Sequence, residues 1–491
     1  MIGEGMLRPM YLDSDRDMKS GEASTSAPKY VSYQDVQKHK SKDSCWVIIE
    51  GQVYDTTPIL DTHPGGSRAI LKYAGEDATY VADAELKAFK PVHPPGTLSQ
   101  LPSEAHLGPV DPATFPKESK ELSQEERRVM EARASLPPPS AALNLHDVEE
   151  LAEKALTTTA WAYYRSAGDD ENSYHENVAA FKRFWFRPRV LRKVSVVSTN
   201  TTMLSFPSSL PIYITPTALA RLGHQDGEMN FTRAAAKEGL IQGLSQYASC
   251  SVEEVMSVRH PDQTLIFQMY MSPDRVAAGS LLRRLEGLGF KALMLTVDAI
   301  VAGNRELDQR AKADNTSAVR HRLNVALDAD VCWEDVAWIK SLTKLPVVIK
   351  GIQSVEDAII AYEHGVQGIV LSNHGGRQLD FSPSPMTLLY ELSQARSDLL
   401  WRRDFEVFVD GGVTRGTDVL KALCLGARAV GMGRPFLYAN GVWGEEGCRR
   451  VVQIMREEIE RAMRLLGVSN LNQLSPSMVR YIDREPMASR L

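Results

Sequence analysis

The chain has 491 residues, 43% hydrophobic and 24% charged, with a net charge of −6 and 26 prolines. That balance is globular, long enough for two or three domains, and excludes collagen-like, coiled-coil and mostly disordered chains. It carries no basic footprint for nucleic acid and no uncharged apolar run of the ~18 residues a membrane span needs, so neither is expected as a partner. The cysteines (Cys45, Cys250, Cys332, Cys424, Cys448) are scattered without a C-x-x-C pair. This suits reduced thiols inside a cell rather than a disulfide framework.

In chain order, residues 1–28 are polar, lack the apolar core of a secretory signal and read as a disordered tail. Residues 29–105 form a small N-terminal module. Its stretch VYDTTPILDTHPGGSRAILKYAG sets His63 before a Pro-Gly-Gly turn, and FKPVHPPGTL carries His93. Two histidines on separate loops can clamp a haem iron from opposite faces. Residues 106–140 read as a proline-rich hinge around the charged, helix-patterned KESKELSQEERRVMEARA.

From 141 to 491 the chain has a rhythm of apolar runs and helical segments. The runs are LPIYIT (210–215), GLIQGLS (239–245), TLIFQMYM (264–271), KALMLTVD (291–298), LPVVIKG (345–351), GIVLSN (368–373), FEVFVDGG (405–412) and ARAVGMG (427–433). Eight such βα units predict a closed (β/α)8 TIM barrel, an α/β fold whose strands are buried on both faces. A doubly wound open sheet is the alternative, weakened because no strand is followed by G-x-G-x-x-G. A barrel demands polar chemistry at the C-terminal strand ends. The runs end in Thr217, Ser245, Gln268 with Tyr270, Thr296 with Asp298, Lys350, Asn373 with His374, Asp410 and Arg434.

Barrels often bind phosphate after strands seven and eight. Here those strands run into DGGVTRG (410–416) and GMGRP (431–435), where glycines, a helix N-terminus and Arg434 favour a phosphate-bearing cofactor. Strand six ends in SNHGGRQLD, giving His374 as a base and Arg377 as a grip for a carboxylate, with Asp298 available to orient the imidazole.

These residues resemble the FMN-dependent α-hydroxy acid oxidising enzymes over nearly all of 145–485, through SNHGGRQLD, DGGVTRGTDVLKALCLGA, GMGRPFLYA, LPVVIKG, TVDAIVAGNRE and AWAYYRSAGDDE. The resemblance implies His374 as base with Asp298 as partner, and Arg377 and Arg305 on the substrate carboxylate. It implies Tyr163 and Tyr270 as hydrogen-bond donors to substrate, Tyr247 near the α-substituent, and Lys350 against the flavin N1/O2 edge. Thr215, Pro216, Thr217, Ala218, Ser245, Gln268 and Thr296 match flavin-contacting positions. Asp410, Gly411, Gly412, Val413, Thr414, Gly433 and Arg434 match the phosphate end. The sequence makes three departures from the family pattern: Thr414 stands where an Arg is usual, with Arg415 adjacent; Ala167–Gly168 inverts a Gly-Ala order; and Ile300 replaces a Pro.

The small module resembles the cytochrome b5-like haem domain, an α+β fold, through YVSYQDVQKHKSKDSCWVIIEGQVYD and HPGG. Its paired haem b ligands map to His63 and His93. The module order is that of the flavocytochrome members of the family. It implies electrons passing from a small L-2-hydroxy acid (L-lactate first) to FMN, then to haem, then to cytochrome c, in a homotetramer. The alternatives are a glycolate-like oxidase that uses O2, and a non-catalytic haem electron carrier. The final Ser489-Arg490-Leu491 resembles a peroxisomal address; a cytochrome c acceptor would suit the mitochondrial intermembrane space, and the cytoplasm is a third option.

Overall fold

A computed structural model describes residues 30–63, 67–79, 97–114, 122–312 and 327–482. The tail expected over 1–28, His93 and the final tripeptide lie outside these residues.

In the small module β1 (Lys40–Ser41), β2 (Ser44–Ile49), β3 (Gln52–Asp55) and β4 (His106–Pro109) form an antiparallel sheet in that order. Val36, Ile48, Val53 and Val110 make one of its cores. The module therefore runs past the boundary expected at 105. Val53 pairs with Gly108, Tyr33 N donates to Thr114 Oγ1 at 2.8 Å, and Val31 bridges Val110. Proline enrichment misplaced the border because Pro109 ends an edge strand, a position where a missing N–H costs little.

The helix expected in the hinge forms over Gln124–Ala134, opened by a Ser123/Glu126 capping box. It packs as part of the barrel unit. Arg128 donates to the carbonyls of Lys154 and Leu156, and Arg133 to that of Gly223.

Each of the eight apolar runs is a strand: β5 (Ile212–Ile214), β6 (Ile241–Ser245), β7 (Leu265–Met269), β8 (Ala292–Thr296), β9 (Val347–Ile352), β10 (Gly368–Leu371), β11 (Glu406–Asp410) and β12 (Ala429–Met432). All neighbours pair in parallel and β12 closes on β5, so the sheet is a barrel. Side chains alternate between its two faces. Tyr213, Ile241, Ile266, Met294, Val348, Val370 and Phe408 fill the interior, and the hairpin carrying Met203 and Leu204 plugs the N-terminal end. Each such buried side chain contributes roughly 1.5–3 kcal/mol. Two residues further along the same face come Thr215, Gln268, Thr296, Lys350, Ser372 and Asp410. The apolar layer thus carries a polar layer at the C-terminal mouth, the end at which such barrels place their active sites.

Candidate active site

His374 follows β10 in a loop held in an unusual conformation. His374, Gly375 and Gly376 have φ of 59°, 67° and 76°, three consecutive left-handed residues. An L side chain there costs about 1–2 kcal/mol. The surroundings over-determine the loop. His374 N donates to Ser372 Oγ (3.1 Å), Gly376 N to Asn373 Oδ1 (3.0 Å), and the buried amides of Asn177 and Asn373 exchange two 2.8 Å hydrogen bonds. Asp380 caps the helix Asn172–Phe181 by accepting from Asn172 N and Ser173 N. Gly168 is held as well: its N donates to Gly376 O, and a Cβ there would overlap the Gln378 carbonyl, so the inverted Ala167–Gly168 order puts glycine where this loop needs it.

His374 Nδ1 lies 2.8 Å from Asp298 Oδ1, whose side chain is fully buried. Burial alone would raise the Asp298 pKa, but His374 and Lys350 outweigh it and hold the carboxyl below its ordinary value. An ionised carboxylate only accepts, so Nδ1 carries the proton and Nε2 is left as the base. Gly351 is required beside this pair, since its φ is +106° and a Cβ would come within 2.6 Å of Asp298.

Arg377 donates through Nη1 to the carbonyls of Tyr163 (2.9 Å) and Ser166 (3.0 Å). Burial, then the Arg305 cation, press its pKa down to about 9. The guanidinium is a buried cation short of an anion, and a bound carboxylate relieves that deficit. Arg305, Lys312 and Arg377 all approach the Tyr163 ring, at 5.1, 5.4 and 5.2 Å. Asp308 lies 3.5 Å from Arg305 and 2.9 Å from Lys312. Tyr270 and Tyr247 stack at 5.3 Å. Burial lifts the Tyr247 pKa to about 12, and burial with Asp298 nearby lifts that of Tyr270 further, so both remain neutral donors.

The polar layer presents buried hydrogen-bonding groups that lack partners. Thr217 Oγ1, Gln268 Nε2 and Thr296 Oγ1 are buried without a partner among the described residues. Such atoms cost roughly 1–3 kcal/mol each unless a ligand fills them. Ser245 Oγ donates to Gln268 Oε1 at 3.0 Å and fixes that amide. All these positions were expected at the flavin, and the residues present fit one.

The phosphate end differs from expectation. Asp410 does not face it: the inward parity of β11 turns its carboxylate to Thr215 Oγ1 (2.9 Å) and Lys350 Nζ (3.3 Å). Thr414 N and Oγ1 both donate to Asp418, and Arg415 is drawn out to Glu458 at 2.8 Å, so it does not stand in for the usual arginine. Arg434 donates to the carbonyls of Tyr164, Gly375 and Ser166. What stays open is backbone. Gly411 and Gly412 have φ of 101° and 77°, with Val413 buried behind them. The helix Arg434–Leu466 starts at Gly433 with no side-chain cap. An uncapped N-terminus attracts anions. Pro216 and Ala218 lie in the loop that follows β5.

Residues 152–481 match the family model described as FMN-dependent dehydrogenase, and residues 32–111 match the cytochrome b5-like heme/steroid binding domain. The chain belongs to the FMN-dependent dehydrogenase family. It is 43% identical over 458 residues to an L-lactate dehydrogenase (cytochrome) of Wickerhamomyces anomalus, covering 90% of this chain and 78% of that protein. It is also 39% identical over 357 residues to the glycolate oxidase of Spinacia oleracea, covering 68% of this chain and 95% of that one. The solved flavin-binding domain of baker's yeast flavocytochrome b2 superposes with a TM-score of 0.70 at 43% identity, covering 74% of this chain and 92% of that one. The protein is thus an FMN-dependent dehydrogenase with a cytochrome b5-like module, and FMN and haem b are its cofactors.

In the module, His63, expected as a haem ligand, is half-buried just beyond the 3-10 turn Thr57–Ile59. Its expected partner His93 is outside the described residues. Among the described residues no cluster of three metal-binding side chains occurs, and no helix is long and apolar enough to cross a membrane.

Sequence reasoning missed two supports. One is Ser372, which shares the inward face of β10 with Val370 and sits 3.0 Å from Lys350 Nζ. The other is buried Glu228, whose carboxylate accepts from Ala220 N, Ser249 N and Cys250 N and ties the loops after β5 and β6 together. Inward parity was the available signal for Ser372. Glu228 had none.

Proposed function

We propose that this protein oxidises a small L-2-hydroxy acid, L-lactate first, to the 2-oxo acid and passes the electrons through haem b to cytochrome c. The observation that carries the reading is the His374–Asp298 pair standing beside the anion-deficient Arg377 at the mouth of an FMN-family barrel. FMN, when bound, supplies the acceptor for two electrons from the α-carbon. His374 Nε2 takes the substrate proton, and Asp298 stabilises the imidazolium that results. Arg377 and Arg305 hold the carboxylate, and Tyr163 and the neutral Tyr270 orient it and the reacting hydroxyl. The stacked Tyr247 borders the α-substituent and sets which side chains fit.

The names of the relatives support lactate and a cytochrome route, since the L-lactate dehydrogenases (cytochrome) span both modules and the glycolate oxidase only the barrel. Steady-state turnover with L-lactate and glycolate, each with cytochrome c or O2 as acceptor, tests this. Cytochrome c reduction with lactate should dominate; faster O2 consumption with glycolate would establish the oxidase instead. A panel of 2-hydroxy acids on Tyr247→Leu should shift selectivity toward larger side chains.

A homotetramer is part of the same reading, testable by light scattering. So is a peroxisomal address in Ser489-Arg490-Leu491, for which tagged protein with and without Leu491 is the comparison.

A further inference from the structure

Asp410, Lys350 and Thr215 come from three different strands or their ends and form one buried unit. Lys350 Nζ lies 3.3 Å from Asp410 Oδ2 and 3.0 Å from Ser372 Oγ, and the same Asp410 oxygen accepts from Thr215 Oγ1 at 2.9 Å. Both side chains of the ion pair are 6% exposed. In such a site a charge is tolerated only when paired, and each partner's field is strongly felt by whatever lies next to it. Thr296, with its unpartnered hydroxyl, is the register neighbour of Lys350, so the ammonium sits beside the edge of the polar layer that lacks partners.

We propose that Asp410 is a positioning residue that fixes Lys350 and attenuates the positive charge this lysine presents to FMN, so setting the flavin's reduction potential. The inference rests on the reading above that Lys350 faces the flavin. A lysine ammonium has three donors. Asp410 and Ser372 engage two of them and leave the third to point at a ligand. The four-carbon stem is otherwise flexible, and these two anchors select one placement. Gly431 is part of the arrangement, because a Cβ there would come within 3.0 Å of Asp410 Cβ and 2.7 Å of the Tyr213 hydroxyl. Burial would favour a neutral lysine, but Asp410 and then Asp298 outweigh it and hold the pKa above its ordinary value. Asp298 remains as a second anion acting on Lys350 when the Asp410 charge is removed.

Two-electron reduction of a flavin adds negative charge, so removing a neighbouring carboxylate while the ammonium stays favours the reduced form. The test is the midpoint potential of FMN in the full-length holoprotein, by anaerobic dye-coupled titration, with the FMN dissociation constant measured by fluorescence alongside. Asp410→Asn should raise the potential by an amount equivalent to about a tenfold stronger preference for reduced over oxidised FMN, which for a two-electron couple is about 30 mV. Asp410→Ser, neutral and smaller, carries the same expectation and serves if the asparagine variant does not hold FMN. A potential that is unchanged or lower in a variant that still binds FMN overturns the proposal. Lys350→Met separates the two levels. If it leaves the potential unmoved, the placement of Lys350 at the flavin fails; if it lowers the potential while the Asp410 variants do not raise it, only the role of Asp410 fails.

Discussion

The reaction side and the expected phosphate side of the barrel mouth solve opposite problems. At the reaction end, side chains are held ready and left incomplete: His374 Nε2 is free to act as base, Arg377 lacks an anion, and Thr296 and Gln268 have unpartnered polar atoms. At the expected phosphate end the side chains already bond to the protein, with Thr414 on Asp418, Arg415 on Glu458 and Arg434 on three carbonyls. Glycine backbone and an uncapped helix N-terminus are left open there.

That contrast can be broken by substitution at either end. The largest effect belongs to the base: His374→Gln should keep FMN yet lose at least ~10²-fold in the rate of flavin reduction seen by stopped flow. A near-normal rate would remove His374 from the chemistry. Arg377→Lys, which keeps the charge but loses the planar fork, should raise KM for the hydroxy acid by roughly tenfold or more with FMN affinity unchanged. A loss of FMN instead would mean that Arg377 serves the cofactor. The smallest effect is at the other end. Thr414→Arg adds a side-chain cation where main chain alone works, and should tighten FMN by about tenfold in fluorescence titration, the scale of one charged hydrogen bond. No gain would mean that the backbone cradle already saturates the phosphate.

Much of this was legible in the chain. The eight strands appear as apolar runs because both faces of a barrel strand are buried, and their polar last residues mark the mouth. His374, Arg377 and Asp298 announce themselves because an imidazole and a guanidinium after one strand, with a carboxylate after another, have few structural uses. Asp410 was misread because its motif neighbours Gly411 and Gly412 are loop residues, whereas its own direction follows strand parity. The Asn177–Asn373 amide pair lies 196 residues apart in sequence and could not be seen locally. His106–Pro109 was hidden by proline enrichment around an edge strand.

The central claim is that a barrel reacting through His374 delivers electrons to the haem of its own N-terminal module. Anaerobic stopped-flow mixing of the full-length holoprotein with L-lactate, following flavin and haem absorbance together, tests it most directly. Flavin bleaching is expected first, with the reduced haem bands growing in after it, in the same molecule and without added acceptor. Haem that stays oxidised beside fully reduced flavin, or flavin that L-lactate leaves oxidised, would contradict it.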